Sequence, residues 1–110
     1  MSGFTIHDLA GVIDARAASS GDVSYTRKLL DKGPEHCAKK LGEEAIEVVI
    51  ASVESGGTRE HIVAESADLL FHLLVLLKSR GIALSEVEAE LARRTQMSGL
   101  EEKASRKPDQ

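Results

Sequence analysis

Apolar residues recur along this chain with the period of a helix, broken at a few sharp boundaries. Ile6, Leu9 and Ile13 fall at i, i+3 and i+7, one stripe of a helix predicted over residues 5–18. Thr5 is its expected N-cap, and Asp8 stands where a carboxylate favours a helix start. Ser19, Ser20, Gly21 and Asp22 read as a loop. The stretch 24–32 is short and mixed, and its pattern fits either a helical turn or a more open segment. Gly33-Pro34 marks a break, and Pro34 suits the first turn of a long helix reaching to about Ser55. Gly42 inside that helix either admits a neighbouring helix or ligand, or answers an ordinary packing need. Ser55-Gly56-Gly57-Thr58 is the clearest turn. Thr58 is placed to cap a helix from Arg59 to about Arg80 that is apolar nearly all round, as at the centre of a bundle or at an interface. Gly81 ends it, and Ser85 with Glu88 predicts a capping box for a last helix, Glu86 to about Gln96. The segment 98–110 is charged and expected to be loosely ordered.

These elements predict a single domain over residues 1–110, all-α, built as a bundle of four to five helices. Composition agrees, because with aromatics limited to Phe4, Tyr25 and Phe71 the core must be Leu, Val, Ile and Ala. The helix from Arg59 carries more apolar surface than a chain this short covers alone, so a homodimer completing the bundle is expected. A net charge of -4 argues against a protein that coats nucleic acid. Cys37 is the sole cysteine, so no internal disulfide forms, as in a reducing cytosol. No secretory signal is visible at the N-terminus, and the longest apolar run, Leu69–Leu77, is interrupted by His72 and far short of the roughly 20 residues of a membrane span. The expectation is a soluble, cytoplasmic protein.

The pattern that carries chemistry is two carboxylate pairs at i, i+3, Glu44 with Glu47 and Glu65 with Asp68. A lone Glu-x-x-Glu is most often a solvated helix face. Glu65 and Asp68, however, share a strip with His72 on a helix that is otherwise apolar. Glu47 stands about nine residues before the middle of the Ser55–Thr58 turn and Glu65 about nine after it, so a rise of about 1.5 Å per residue sets the pairs at similar heights on an antiparallel hairpin. Carboxylates crowded together call for a cation, and a hard divalent ion with oxygen ligands, Mg²⁺ first, is the natural occupant. Lys40 shares a face with Glu44 and Glu47; it either reaches a phosphate held by the metal or forms a plain surface pair with Glu44. His72 is expected near the core rather than as a ligand, and Cys37 as a small buried residue.

The string SYTRKLLDKGPEHCAKKLGEEAIEVVIAS, followed by ESADLLFHLLVLL and SGLEEKASRK, resembles the phosphoribosyl-ATP pyrophosphohydrolases, a branch of the all-α nucleoside triphosphate pyrophosphohydrolases of the MazG type. The resemblance covers nearly the whole chain, shows no fused cyclohydrolase domain and implies the stand-alone form. It implies Mg²⁺-dependent hydrolysis of the α–β phosphoanhydride of phosphoribosyl-ATP to phosphoribosyl-AMP and pyrophosphate, the second step of histidine biosynthesis. By the same resemblance Glu44, Glu47, Glu65 and Asp68 hold the metal, and Glu47 or Glu44 accepts the proton of the attacking water. Lys28, Lys32, Lys39 and Lys40 are candidates for gripping the phosphates, with Arg93, Arg94, Lys103 and Arg106 reaching from the C-terminal segment across a dimer. Glu43, out of register with Glu47, is a candidate partner for Lys39. Two other readings stay open: a housekeeping pyrophosphohydrolase of (d)NTPs on the same fold, and a non-catalytic helical dimerisation module.

Overall fold

A computed structural model describes residues 3–20, 24–96 and 99–106. Among them lie six helices and no strand: α1 (Ile6–Ala17), α2 (Tyr25–Asp31), α3 (Pro34–Val53), α4 (Arg59–Ser79), α5 (Leu84–Arg94) and α6 (Gly99–Ser105). The all-α expectation holds, with one helix more than the four to five predicted. The addition is α6, inside the segment expected to be loose; residue 98 and residues 107–110 of that segment, like Gly21 and Asp22 of the first loop, lie outside the described residues. The mixed stretch before Gly33 resolves as α2, because Ser24 caps it: its side-chain oxygen accepts the Arg27 N–H at 3.0 Å.

Most boundaries follow local chemistry. Thr5 Oγ1 accepts the Asp8 N–H at 3.1 Å while Asp8 Oδ2 accepts the Thr5 N–H at 2.9 Å, a reciprocal cap for α1. Thr58 Oγ1 accepts the His61 N–H at 3.1 Å and starts α4 as expected. Gly33 holds φ at 93°, a value that only glycine adopts cheaply, and turns the chain into Pro34. In the α3–α4 turn a Cβ on Gly57 would meet the Ala51 carbonyl oxygen at 2.9 Å, so the reversal is tight. Gly42, by contrast, faces open space with nothing within 4 Å of a built Cβ, so no close approach inside this chain explains it.

The α5 start differs from the Ser85–Glu88 box. The chain enters the helix sooner, at Leu84, so Glu86 is the residue one turn in, and its Oε2 accepts the Ala83 N–H at 2.9 Å. Glu88 is left to pair with His7 of α1 at 2.6 Å.

Helices α3 and α4 form an antiparallel hairpin packed along its length, and α1 and α2 cross one end of it. The core lies at that end, where Ile13, Leu29, Cys37, Leu74 and Val75 are buried and Leu9, Leu30, Phe71 and Leu77 pack against them. Cys37 is buried as expected, with Sγ 3.3 Å from the Leu29 carbonyl oxygen, which it reaches as donor. Towards the turn the hairpin is bare. Ile46, Val49, Ile50 and Val53 form an i, i+3, i+4, i+7 stripe on α3, all exposed, with Val63 and Leu70 of α4. No helix among the described residues is long and apolar enough to cross a membrane.

Candidate active site

Helical register decides which carboxylates meet. Cys37, Glu44 and Ala51 recur every seven residues on α3, and both outer members of that row are buried, at 1% exposure each. The row therefore faces α4, and Glu44 is drawn in with it. On α4, His61, Glu65, Asp68 and His72 fall at i, i+4, i+7 and i+11, a single strip turned toward α3. Glu44, Glu65 and Asp68 each bring a carboxylate oxygen within 4.8 Å of the others. Glu44 and Glu65 are half-buried and Asp68 is exposed. Glu47, the fourth predicted ligand, stands outside this group: three residues past Glu44 it is rotated by about 60° around the helix, and it is exposed.

This donor set suits a hard cation. Oxygens around Mg²⁺ at about 2.1 Å lie roughly 3–4 Å from one another, so small side-chain rotations close the observed spacing. Glu65 is braced from outside by His61, whose Nε2 lies 3.3 Å from its Oε2, while Nδ1 of the same ring lies 3.4 Å from Oε1 of Glu54.

Beside the carboxylates opens a cleft of about 660 Å³ lined by Tyr25, Lys28, Leu29, Asp31, Lys32, His36 and Lys40. That size is ordinary for a small-molecule site, about 300–1,000 Å³. Three of the four predicted phosphate-binding lysines, Lys28, Lys32 and Lys40, line it. Lys39, one position off the His36–Lys40 face, is exposed and does not. Lys40 stands one helical turn before Glu44: its Nζ lies 3.3 Å from Glu43 Oε1, outside the three-carboxylate group, and the ammonium pKa is raised first by that contact and less by Tyr25 and Glu44. Glu43 thus pairs with Lys40, not with Lys39 as expected.

His72 is buried. Its ring meets Phe71 and Tyr25 edge-on, with centroids 5.1 and 6.3 Å away. Burial pushes its pKa down, against an upward pull from Glu44. It is thus a near-core residue bordering the site. Arg93 and Arg94 bind Glu90 of their own helix, at 2.7 and 3.0 Å, and with Lys103 and Arg106 stay outside the cleft. Sequence reasoning passed over His36 and His61. The signal for each was an i, i+4 offset from a residue it had singled out, Lys40 and Glu65.

Residues 6–95 match the phosphoribosyl-ATP pyrophosphohydrolase family. The chain is 71% identical over 109 residues to phosphoribosyl-ATP pyrophosphatase 1 of Rhodopseudomonas palustris, covering 99% of this chain and 100% of that protein. It is 72% identical over 107 residues to phosphoribosyl-ATP pyrophosphatase 1 of Bradyrhizobium diazoefficiens, covering 97% and 99% of the two chains. Against the phosphoribosyl-ATP pyrophosphatase of Nitrobacter winogradskyi the identity is 68%, covering 99% of this chain and 92% of that one. A matched span that takes in α1 through α5, with the carboxylate strip and the lysine cleft inside it, makes the chain a member of the phosphoribosyl-ATP pyrophosphohydrolase family.

Proposed function

We propose that this protein hydrolyses the α–β phosphoanhydride of phosphoribosyl-ATP, giving phosphoribosyl-AMP and pyrophosphate in the second step of histidine biosynthesis, with Mg²⁺, as a cytoplasmic homodimer. The observation that carries the reading is a three-carboxylate group and a lysine-lined cleft set one turn apart on α3, at Glu44 and Lys40. One face suits a cation and the other suits phosphate oxygens, and a substrate with a charged triphosphate needs both.

Glu44, Glu65 and Asp68 would hold the cation, which supplies charge neutralisation at the phosphate oxygens and a more acidic water. Lys28, Lys32 and Lys40 orient the phosphates in the cleft. Glu47, beside the group and outside it, accepts the proton of the attacking water. The water oxygen bonds to phosphorus, the bridging P–O bond breaks, and pyrophosphate leaves.

Dimerisation is supported by surface left over. The accessible area of 7774 Å² exceeds by about 1,900 Å² what a compact chain of 11.8 kDa presents. The radius of gyration is 16.3 Å, against about 13 Å for a compact domain of this length.

The test is pyrophosphate release from phosphoribosyl-ATP with and without Mg²⁺, beside a panel of NTPs and dNTPs, for the wild type and Glu47→Gln. Turnover of phosphoribosyl-ATP that needs Mg²⁺ and is lost in the folded variant is expected. Preference for dNTPs would replace this reading by the housekeeping one, and no release from any nucleotide would leave the non-catalytic module.

A further inference from the structure

We propose that His61 is a positioning residue for the cation site, holding the Glu65 carboxylate in its ligand orientation and taking its own orientation from Glu54. The proposal rests on the reading of Glu44, Glu65 and Asp68 as cation ligands. The His61 ring lies between two carboxylates at ion-pair distance, Nε2 3.3 Å from Glu65 and Nδ1 3.4 Å from Glu54. The Glu65 side chain is only 19% exposed, with the imidazole in contact on one side and Glu44 within 4.8 Å on another.

The backbone on either side of the ring is fixed. His61 stands in the first turn of α4, its N–H bound to Thr58 Oγ1 at 3.1 Å. Glu54 terminates α3, its N–H donating to the Ile50 carbonyl at 3.0 Å. The tight turn at Gly57 ties those two ends together. Glu54, turn, His61 and Glu65 therefore form a closed path from the hairpin's end to the carboxylate group. A carboxylate free to rotate must lose that freedom when it takes a cation, whereas one already in contact with a ring that is itself flanked by a second carboxylate has less to lose. The bland alternative is that His61 merely supplies positive charge at the C-terminus of α3, whose last turn has no basic residue. That role would affect stability and leave cation affinity alone.

The deciding measurement uses the full chain and Mn²⁺ alone, with free Mn²⁺ counted by its electron paramagnetic resonance signal, beside thermal melts in chelator. His61→Ala is expected to weaken Mn²⁺ binding about 10-fold or more, with little change in the metal-free melt. His61→Gln, whose amide N–H can still reach Glu65, is expected to recover most of the affinity, and Glu54→Gln to give a smaller loss than His61→Ala. Wild-type affinity in His61→Ala, or a His61→Gln variant as weak as His61→Ala, overturns the proposal while leaving the cation site intact. A wild-type chain that takes up no Mn²⁺ overturns the site itself and this inference with it.

Discussion

Removing a ligand carboxylate should stabilise the protein in chelator and destabilise it, relative to wild type, in Mg²⁺. In the metal-free chain Glu44 faces Glu65 and Asp68 with oxygens within 4.8 Å. Two unit charges at that distance repel by about 0.9 kcal/mol at the dielectric of water and about 3.5 kcal/mol at an effective dielectric of about 20. The site is half-open, so the lower figure governs, and a Debye length of about 8 Å at physiological salt trims it to about 0.5 kcal/mol per pair. Glu44→Gln abolishes two such pairs and keeps the side chain's volume and helix propensity. It should gain at most about 1 kcal/mol, no more than about 4 °C in melting temperature for a domain of this size, less the lost attraction between Glu44 and Lys40. Saturating Mg²⁺ should raise the wild-type melt and leave Glu44→Gln nearly still, reversing the order. Scanning calorimetry with chelator and then with Mg²⁺ decides it. A variant that melts below wild type in chelator, or that gains as much from Mg²⁺, refutes the charge-crowding argument.

Ile13 is buried to 1% exposure in the core cluster, so Ile13→Ala should cost about 2–4 kcal/mol in urea unfolding. The folded variant should keep most of its turnover, because Ile13 itself lines neither the cleft nor the carboxylate group, which the cluster reaches only through Leu29. The depressed pKa of His72 means that its neutral form is favoured by the fold. Its contribution to stability is then complete above the ordinary value of 6.5 and is lost as pH falls toward the lower folded value. Wild type should lose stability between pH 7.5 and 5.5 in metal-free buffer along a steeper slope than His72→Gln, read as urea midpoints at the two values. Glu90, held at about 2 by Arg93 and then Arg94, gives up its contribution only below its ordinary 4.5 and leaves that window untouched.

The sequence was legible where the deciding chemistry is local. Thr5 with Asp8, and Thr58 before α4, are caps whose partners lie three residues away, and both formed as read. The α5 cap was not, because the helix start is set by the backbone that wraps the α4 terminus, where the Ile82 N–H bonds the Leu77 carbonyl at 2.9 Å. The composition of α6 resembled that of a solvated tail, and nothing in its polar residues announced a helix. At the site, counting from the turn gave height along the hairpin but not rotation about α3. Height sets Glu47 level with Glu65; rotation, fixed by the buried row Cys37–Glu44–Ala51, turns Glu44 inward and leaves Glu47 on the flank.

That flank sets the proposed dimer surface beside the proposed site. At about 100° per residue the bare stripe of Ile46, Val49, Ile50 and Val53 lies nearly opposite the row that faces α4, with Glu43 and Glu47 between the two. A second copy seated on the stripe would border Glu47 and exclude water from one side of the carboxylate group, where charge interactions then strengthen. Activity should therefore follow the dimer. Such an interface would set the stripe of one copy against that of the other, an apolar centre of the kind obligate homodimers bury. A Val49→Glu substitution places an unpaired charge in each half of it, costing several kcal/mol and weakening association at least about 100-fold. Sedimentation velocity should find that variant monomeric, with helical content kept and pyrophosphate release lost. Wild-type turnover per chain should fall on dilution at the same concentration at which sedimentation shows the dimer parting. A monomeric Val49→Glu chain with full turnover would show that one hairpin suffices, and that the stripe and the carboxylates share α3 without acting on each other.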